Sequence, residues 1–361
     1  MIRPYYTIVL FLILFVTCHE GNTTNIDIRD EKHVVIKYVA VLLFIFFLLY
    51  SIISNSLMAT TVLFCRKQDS PYSQAFVLIA LQLIISNFAS FIPQIVVVLP
   101  EILQNQNSTN VNQTTWINNT FSTFNTFSIF AVLHFSLLLT LNRFVAFVLP
   151  KYNAFFESTR LYFLIAFVWL SVLGITFCDF FFCTRKFLAW SISWEGDCTK
   201  SKEIGDIWWR IRYFWALCIP GIMFVLYVAI FYNIRKHRCG ADINRNQRIG
   251  QMNAGRRTNT IRSYKYEWLM LIQAMWNCGI LELGILSFNF LPPLLVDIFG
   301  EEINIPAKIF VNCYVILACA TLSTIYFIYS KEERNIVKHY LNNFLCFITA
   351  YLKNTITITN A

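Results

Sequence analysis

The sequence predicts an all-α protein of seven membrane-spanning helices, because apolar residues are abundant and are grouped in long blocks. Hydrophobic residues make up 57% of the 361 residues and charged residues only 14%, little more than half of the ~25% typical of a soluble globular protein. Seven blocks are long enough to cross ~30 Å of hydrocarbon at ~1.5 Å per residue. They comprise residues 36–64, 73–99, 121–149, 161–182, 211–234, 268–295 and 307–329.

An eighth apolar run, at the N-terminus, is too short to cross a membrane as a helix. Residues 5–17 follow Arg3 and precede small and polar residues. This is the pattern of a signal peptide, here with cleavage after Cys18. The alternative is an N-terminal segment that stays attached to the protein.

Two independent patterns indicate that the N-terminus is extracellular. The Asn-X-Ser/Thr sequons, which are glycosylated on the lumenal side, all lie before the first span or between the second and third; they are Asn22, Asn107, Asn112 and Asn118. The opposite loops, the adjoining span ends and the tail hold 18 of the 29 lysines and arginines, as expected of the cytoplasmic side. The net charge of +9 therefore reflects topology, and we expect no nucleic-acid partner.

These patterns predict one folded domain in the plasma membrane. Residues 1–18 form the signal peptide, 19–35 an extracellular N-terminal segment, 36–329 the seven-helix domain in the lipid bilayer, and 330–361 a cytoplasmic tail. Apolar residues recur in the tail at helical spacing, which predicts an amphipathic helix along the inner membrane face. They are Ile336, Val337, Tyr340, Leu341, Phe344 and Leu345.

Residue patterns typical of catalysis, cofactor binding or metal binding are missing from the sequence. The five histidines share no metal-ligand spacing with one another or with acids. No glycines are clustered as a phosphate-binding loop requires. Only His134 lies within a span, where an isolated histidine is most simply a hydrogen-bonded packing residue. We therefore expect no enzymatic activity, no cofactor and no metal.

Two acids lie within the predicted spans, Asp179 near the outer end of the fourth and Glu282 midway along the sixth. An ionisable residue inside a membrane is costly, and it is therefore a candidate functional residue. Two interpretations of Glu282 stay open: a protonated or hydrogen-bonded structural residue, and a contact in a ligand cavity. Two acids on separate helices make a poor pathway for ions.

A charged motif ends the third span. Asn142, Arg143 and Phe144 are followed by Ala146 and Pro150 in the stretch NRFVAFVLP. This resembles the DRYxAIxxP signature of the rhodopsin-like G-protein-coupled receptors, at the cytoplasmic end of their third helix. The resemblance implies a seven-helix receptor fold and assigns G-protein coupling to Asn142, Arg143, Phe144 and Pro150.

The chain also departs from the pattern of that family. The sixth span has Trp276 without a proline two residues later, and the seventh has Leu322 and Ser323 where the family has Asn and Pro. Asn125, 18 residues before Arg143, stands where amine receptors have an aspartate. Without that counter-ion an amine ligand is disfavoured, and Asn125 becomes a candidate contact in the ligand cavity together with Glu282.

Two cysteines bracket the segment that follows the fourth span. Cys183 and Cys198 enclose CTRKFLAWSISWEGDC. Together with the NRF motif and with Glu267, Gln273 and Glu282, this segment is similar to the nematode serpentine chemoreceptors, most nearly those of class X. An oxidising compartment favours a disulfide between Cys183 and Cys198, and closing a loop of this length stabilises the fold by about 3 kcal/mol.

The resemblance implies a chemosensory G-protein-coupled receptor. Its partners would be an extracellular small molecule or peptide as ligand and a heterotrimeric G protein in the cell. Two alternatives stay open. One is a seven-span ligand-gated channel, which would have its N-terminus inside the cell. The other is a partner protein that has the receptor fold but does not signal.

The residue before Arg143 sets an expectation for basal activity. A neutral Asn142 cannot form the ion pair with Arg143 that an aspartate could form. Ligand-free nucleotide exchange on a G protein is therefore expected to be higher for the unaltered chain than for an Asn142→Asp variant. Equal exchange by the two proteins would count against this role of Asn142.

Overall fold

In a computed structural model the chain forms a bundle of long helices with one β-hairpin at one end. The structure describes residues 34–65, 74–104, 111–156, 158–198, 202–246 and 254–329, together with residues 28, 334, 335 and 338. The predicted signal peptide, the predicted sequons at Asn22 and Asn107 and most of the predicted tail helix lie outside these ranges. Within them the structure confirms the all-α fold.

The helices are longer than the apolar blocks of the sequence. The α-helices are Val34–Cys65, Gln74–Pro93, Leu99–Leu103, Val111–Val148, Ser158–Phe182, Lys202–Asn246, Ala254–Phe299, Asn304–Ala318 and Thr321–Tyr329. A π-helical turn, Gln94–Val98, joins the second helix to the third. Short 3₁₀-helices comprise Pro150–Phe156 and Glu301–Ile303.

Six stretches of the described helices are long and apolar enough to cross a membrane. We number them as spans 1 to 6: Val34–Leu63, Gln74–Leu103, Thr120–Val148, Thr159–Phe182, Glu203–Lys236 and Met275–Phe299. A seventh candidate is the helix pair Glu301–Ala318 and Thr321–Tyr329, which meet at an angle of 55°. We call this pair span 7.

Spans 2 and 3 form the centre of the bundle, and spans 4, 5 and 6 lie at its periphery. Ile79, Leu83, Phe135 and other residues of spans 2 and 3 are almost fully buried. In contrast, Phe163 of span 4 is 73% exposed. A soluble protein rarely exposes this much contiguous apolar surface, whereas a lipid bilayer covers it without cost. The exposed faces of the outer spans therefore suit a multi-pass membrane protein.

The bend in span 7 has no proline and is stabilised by amide side chains from two neighbouring spans. Asn55 and Asn87 donate hydrogen bonds to the Cys319 carbonyl, at 3.1 and 2.9 Å. Asn87 also donates to Asn55 Oδ1 at 3.0 Å, and Ser323 donates to the same oxygen at 3.2 Å. A break in a membrane helix exposes backbone carbonyls that lipid cannot satisfy, and these two asparagines supply the missing donors.

The β-hairpin closes one end of the bundle, which we call the hairpin end. Strand β1 (Thr184–Leu188) pairs antiparallel with β2 (Ser193–Asp197), and a disulfide joins Cys183 to Cys198, as predicted from the sequence. Ile192, in the turn, has a positive φ of 51° and is fully buried. Its carbonyl accepts a hydrogen bond from Asn312 of span 7 at 3.0 Å. The hairpin tip is therefore inserted into the bundle.

The structure places two of the predicted glycosylation sites on a helix. Asn112 and Asn118 lie within the helix Val111–Val148, which begins before the apolar part of span 3. The side-chain amide of Asn118 donates to the Glu101 carboxylate at the end of span 2. The connection between spans 2 and 3 is thus partly helical, although its composition carries no apolar pattern.

Candidate functional site

A cavity of about 160 Å³ lies inside the hairpin end of the bundle. Its wall is formed by spans 2, 3, 5, 6 and 7, and the hairpin adds Arg185 and Trp194. Apolar cavities of ~150 Å³ hold a ligand of about the size of benzene. The cavity therefore suits a small molecule that is bound between helices, as ligands commonly are in helical bundles.

The cavity wall is mostly apolar with a few polar groups. Phe91, Phe130 and Phe288 contribute aromatic rings from three different spans. The polar lining residues include Gln94, Asn125 and two arginines, and no aspartate or glutamate is among the described residues that line the cavity. An apolar wall with a small number of oriented polar groups is the usual composition of a site for an organic ligand.

One of the two arginines is neutralised by an acid of span 4. Arg212 forms a salt bridge with Asp179, and both side chains are almost fully buried. Trp208 Nε1 donates a second hydrogen bond to the Asp179 carboxylate at 2.6 Å. The guanidinium of Arg212 also lies 4.0 Å from the ring centre of Trp209. Asp179 thus joins span 4 to span 5 at the hairpin end.

The other arginine forms no salt bridge within the described residues, although the negative charge of Asp179 is near enough to favour its protonated form. Arg185 is partly buried, and its guanidinium carbon lies 5.7 Å from the ring centres of both Trp209 and Phe288. Its Nε is buried without a hydrogen-bond partner among the described residues. Burial, together with the nearby positive charge of Arg212, lowers the pKa of Arg185 to about 9. Arg185 is therefore still protonated at pH 7, and Asp179, which is already paired with Arg212, compensates only part of its charge.

A glycine lets the hairpin approach span 5 at this point. Gly196 lies opposite Arg185 in the strand register. A Cβ atom at position 196 would come within 2.4 Å of the Trp209 ring. The missing side chain therefore allows Trp209 to lie against β2, where its ring is close to the guanidinium groups of both Arg185 and Arg212.

The two residues that the sequence suggested for a ligand cavity have different positions in the structure. Asn125 is buried and lines the cavity. Glu282 is not among the lining residues, whereas Leu281, Gly284 and Ile285 of the same helix are. Asn125 is therefore part of the cavity wall, whereas Glu282 is not.

A second group of residues surrounds Arg143 at the opposite end of the bundle. The guanidinium of Arg143 lies over the Phe76 ring of span 2, 4.5 Å from its centre. Phe76 in turn stacks on Tyr326 of span 7, with ring centres 6.5 Å apart and an interplanar angle of 28°. Phe76 and Tyr326 are almost fully buried. Spans 2, 3 and 7 thus meet around the Arg143 side chain, and we call these three residues the Arg143 cluster.

The other motif residues lie around this cluster. Asn142 is buried, and Phe144 is partly buried against the main hydrophobic core. Pro150 begins the 3₁₀-helix that follows span 3. Span 5 is held to span 3 by a hydrogen bond of 2.9 Å between the hydroxyls of Thr140 and Tyr227, and by Asn233, which donates to the Phe147 carbonyl at 2.8 Å.

Comparisons with known proteins identify no family. No family model matches the chain, and no curated protein matches it. Within the described residues, no group of three or more His, Cys, Asp or Glu side chains is placed to hold a metal ion. The cavity and the Arg143 cluster are therefore the two features from which a function can be argued.

Three important residues were not found from the sequence. Arg185 and Arg212 belong to a stretch of mixed charge whose pairing cannot be inferred from spacing, because Asp179 and Arg212 are 33 residues apart. No sequence pattern distinguishes Phe76 from the many other apolar residues of its span. The presence of an acid near the end of span 4 and an arginine near the start of span 5 was the only available indication of a pair.

Proposed function

We propose that this protein is a G-protein-coupled receptor that detects a small extracellular molecule. One observation carries the proposal: span 3 lines the cavity at one end and presents Arg143 at the other. Asn125 and Arg143 are separated by about 27 Å of helix at ~1.5 Å per residue. This is close to the thickness of the hydrocarbon core of a bilayer, so one helix connects a ligand site to the opposite membrane face.

The proposal assigns the hairpin end to the outside of the plasma membrane. The disulfide between Cys183 and Cys198 lies at that end, and disulfides persist in oxidising, extracellular surroundings. The sequons and the distribution of basic residues support the same orientation. Arg143 then faces the cytoplasm, where a heterotrimeric G protein would bind beside it.

Span 7 supplies a second connection between the two ends. Its first helix contributes Asn312 and Ile316 to the cavity, and its second helix contributes Tyr326 to the Arg143 cluster. The bend at Cys319 lies between them. A ligand that binds one arrangement of this bend more tightly than another would increase the fraction of molecules in that arrangement. Because Tyr326 follows the bend, the Arg143 cluster would change with it.

The Arg143 cluster suits a resting state. A cation over an aromatic ring is stabilised by about 0.5–2 kcal/mol, and Phe76 provides that ring for Arg143. The aspartate that could pair with the arginine is replaced by the neutral Asn142. Phe76 thus helps to hold Arg143 in this arrangement, and the side chain of Arg143 must leave the ring before it can contact a G protein.

Replacing Phe76 with leucine is expected to raise ligand-free activity. The substitution removes the ring and leaves an apolar side chain, so the resting arrangement loses about 0.5–1.4 kcal/mol and the active fraction rises about two- to tenfold. The measurement is nucleotide exchange on co-expressed G proteins, normalised to the amount of receptor at the cell surface. No ligand needs to be known.

The matched control for this experiment is Phe163→Leu. Phe163 is 73% exposed on span 4 and is not part of the Arg143 cluster, so exchange should be unchanged. Basal exchange that is the same for Phe76→Leu, Phe163→Leu and the unaltered chain would contradict the proposed resting state.

A further inference from the structure

The ligand cavity carries an excess of positive charge. Arg185 and Arg212 line it, and only Arg212 is paired with a carboxylate, that of Asp179. The other acids of the hairpin are engaged elsewhere: Asp197 forms a salt bridge with Lys186, and Glu195 accepts a hydrogen bond from Ser193. Within the described residues the cavity therefore has two guanidinium groups for one neighbouring carboxylate.

A buried charge without a counter-ion is unfavourable, and it is normally compensated by an ion pair or by hydrogen bonds. Arg185 lies near two aromatic rings, but its Nε has no acceptor among the described residues. Aromatic rings attract a guanidinium but do not accept the strong hydrogen bonds that its N–H groups form with a carboxylate. The arrangement is thus prepared for an anion that enters the cavity.

We propose that the cavity binds a small organic carboxylate whose acid group pairs with Arg185 and whose apolar body fills the space between the aromatic side chains. This inference rests on the proposed function, because it names the ligand class of the same site. The guanidinium of arginine matches a carboxylate through two parallel hydrogen bonds. Phe91, Phe130 and Phe288 supply the apolar wall.

A further polar group in the cavity points to a hydrogen-bond donor on the ligand. Gln94 lies in the π-helical turn of span 2, and its Oε1 is buried without a hydrogen-bond partner among the described residues. π-Helical turns are frequent at functional sites. A hydroxyl group on the ligand would satisfy this acceptor, so hydroxy acids with an aromatic or aliphatic body are favoured.

The test is the thermal unfolding of the purified full-length chain with millimolar mandelate, phenylacetate and their neutral amides, mandelamide and phenylacetamide. Each amide has nearly the shape of its acid but carries no charge. The two carboxylates are expected to raise the Tm, because a ligand that binds only the folded state stabilises it. The two amides are expected to leave the Tm unchanged.

Two variants show whether Arg185 is responsible. Arg185→Gln should weaken carboxylate binding by at least about 30-fold, since it removes one partner of a buried charge pair. Lys186→Gln is the matched control: Lys186 is the next residue of the same strand, its side chain is 43% exposed, and adjacent strand residues point to opposite faces. Carboxylate binding should be the same for Lys186→Gln and the unaltered chain.

Three results would overturn the inference: amides that raise the Tm as much as the acids, no shift with any of the four compounds, or unaltered binding in a folded Arg185→Gln variant. If Arg185→Gln does not fold, the comparison of acids with amides on the unaltered chain still shows whether the cavity prefers a carboxylate.

No G protein is present in this experiment, so it is independent of the proposed receptor function. Mandelate binding without any exchange activity would refute the receptor function alone, and exchange by Phe76→Leu without carboxylate binding would refute the ligand class alone.

Discussion

Nucleotide exchange by the Phe76→Leu variant is expected to fall to the background level when Arg143 is also replaced with alanine. Phe76→Leu releases the Arg143 side chain from its ring, and the released arginine is the group that we expect a G protein to contact. Alanine removes this group altogether. Nucleotide exchange should therefore be lost completely. Replacing a residue that merely supported the fold would instead reduce exchange in proportion to the amount of receptor.

The control for this variant is Arg160→Ala. Arg160 lies near the same end of the bundle, with its guanidinium 5.5 Å from the ring centre of Phe155, and both residues are exposed. Its removal subtracts the same charge without disturbing the Arg143 cluster. Exchange and surface delivery should be retained. Full activity of the Arg143→Ala double variant at normal surface levels would exclude Arg143 as the coupling residue.

Replacing Asp179 with alanine is expected to have the largest effect on stability, a loss of about 3–5 kcal/mol in the free energy of unfolding. The Asp179 carboxylate accepts hydrogen bonds from both Arg212 and Trp208. Without it, Arg212 becomes a buried charge that has lost its salt-bridge partner, and the polar contact between spans 4 and 5 is lost. The measurement is the Tm of the purified chain, together with the amount of protein at the cell surface.

Two further variants identify the cause of this loss. Asp179→Ala combined with Arg212→Leu should recover part of the stability, because removing both partners leaves no unpaired charge. Lys186→Ala breaks a more exposed ion pair with Asp197, and such pairs contribute only ~0–1 kcal/mol. If Asp179→Ala cost no more than Lys186→Ala, the ion pair with Arg212 would not hold span 4 to span 5.

Hydropathy located the spans well but did not locate the helix ends. The predicted fourth span ends at Phe182, as the helix does. The predicted fifth span begins at residue 211, whereas the helix begins at Lys202. An apolar window detects only the part of a helix that lies in lipid. Polar residues such as Glu203 and Asp206 extend the same helix beyond the apolar block, and composition alone does not distinguish them from a loop.

The candidate site was only partly predictable for a related reason. Asn125 was identified by its spacing from Arg143 along one helix, and that spacing is preserved in any helix. The contacts of Arg185, Arg212 and Phe76 depend on which helices are neighbours, and no pattern within a single segment reveals this. Asn55 and Asn87 were detectable as polar residues in apolar spans, but their shared partner, the Cys319 carbonyl, is a consequence of the bend in span 7.

The central claim is that this chain activates a G protein through Arg143. The most direct test is the rate of nucleotide exchange on purified heterotrimers of each Gα class, with the chain reconstituted in lipid discs. We predict that Phe76→Leu discs accelerate exchange above the rate of empty discs for at least one class, and that discs with the Phe76→Leu/Arg143→Ala double variant do not. Rates equal to those of empty discs for every variant and every Gα class would contradict the claim.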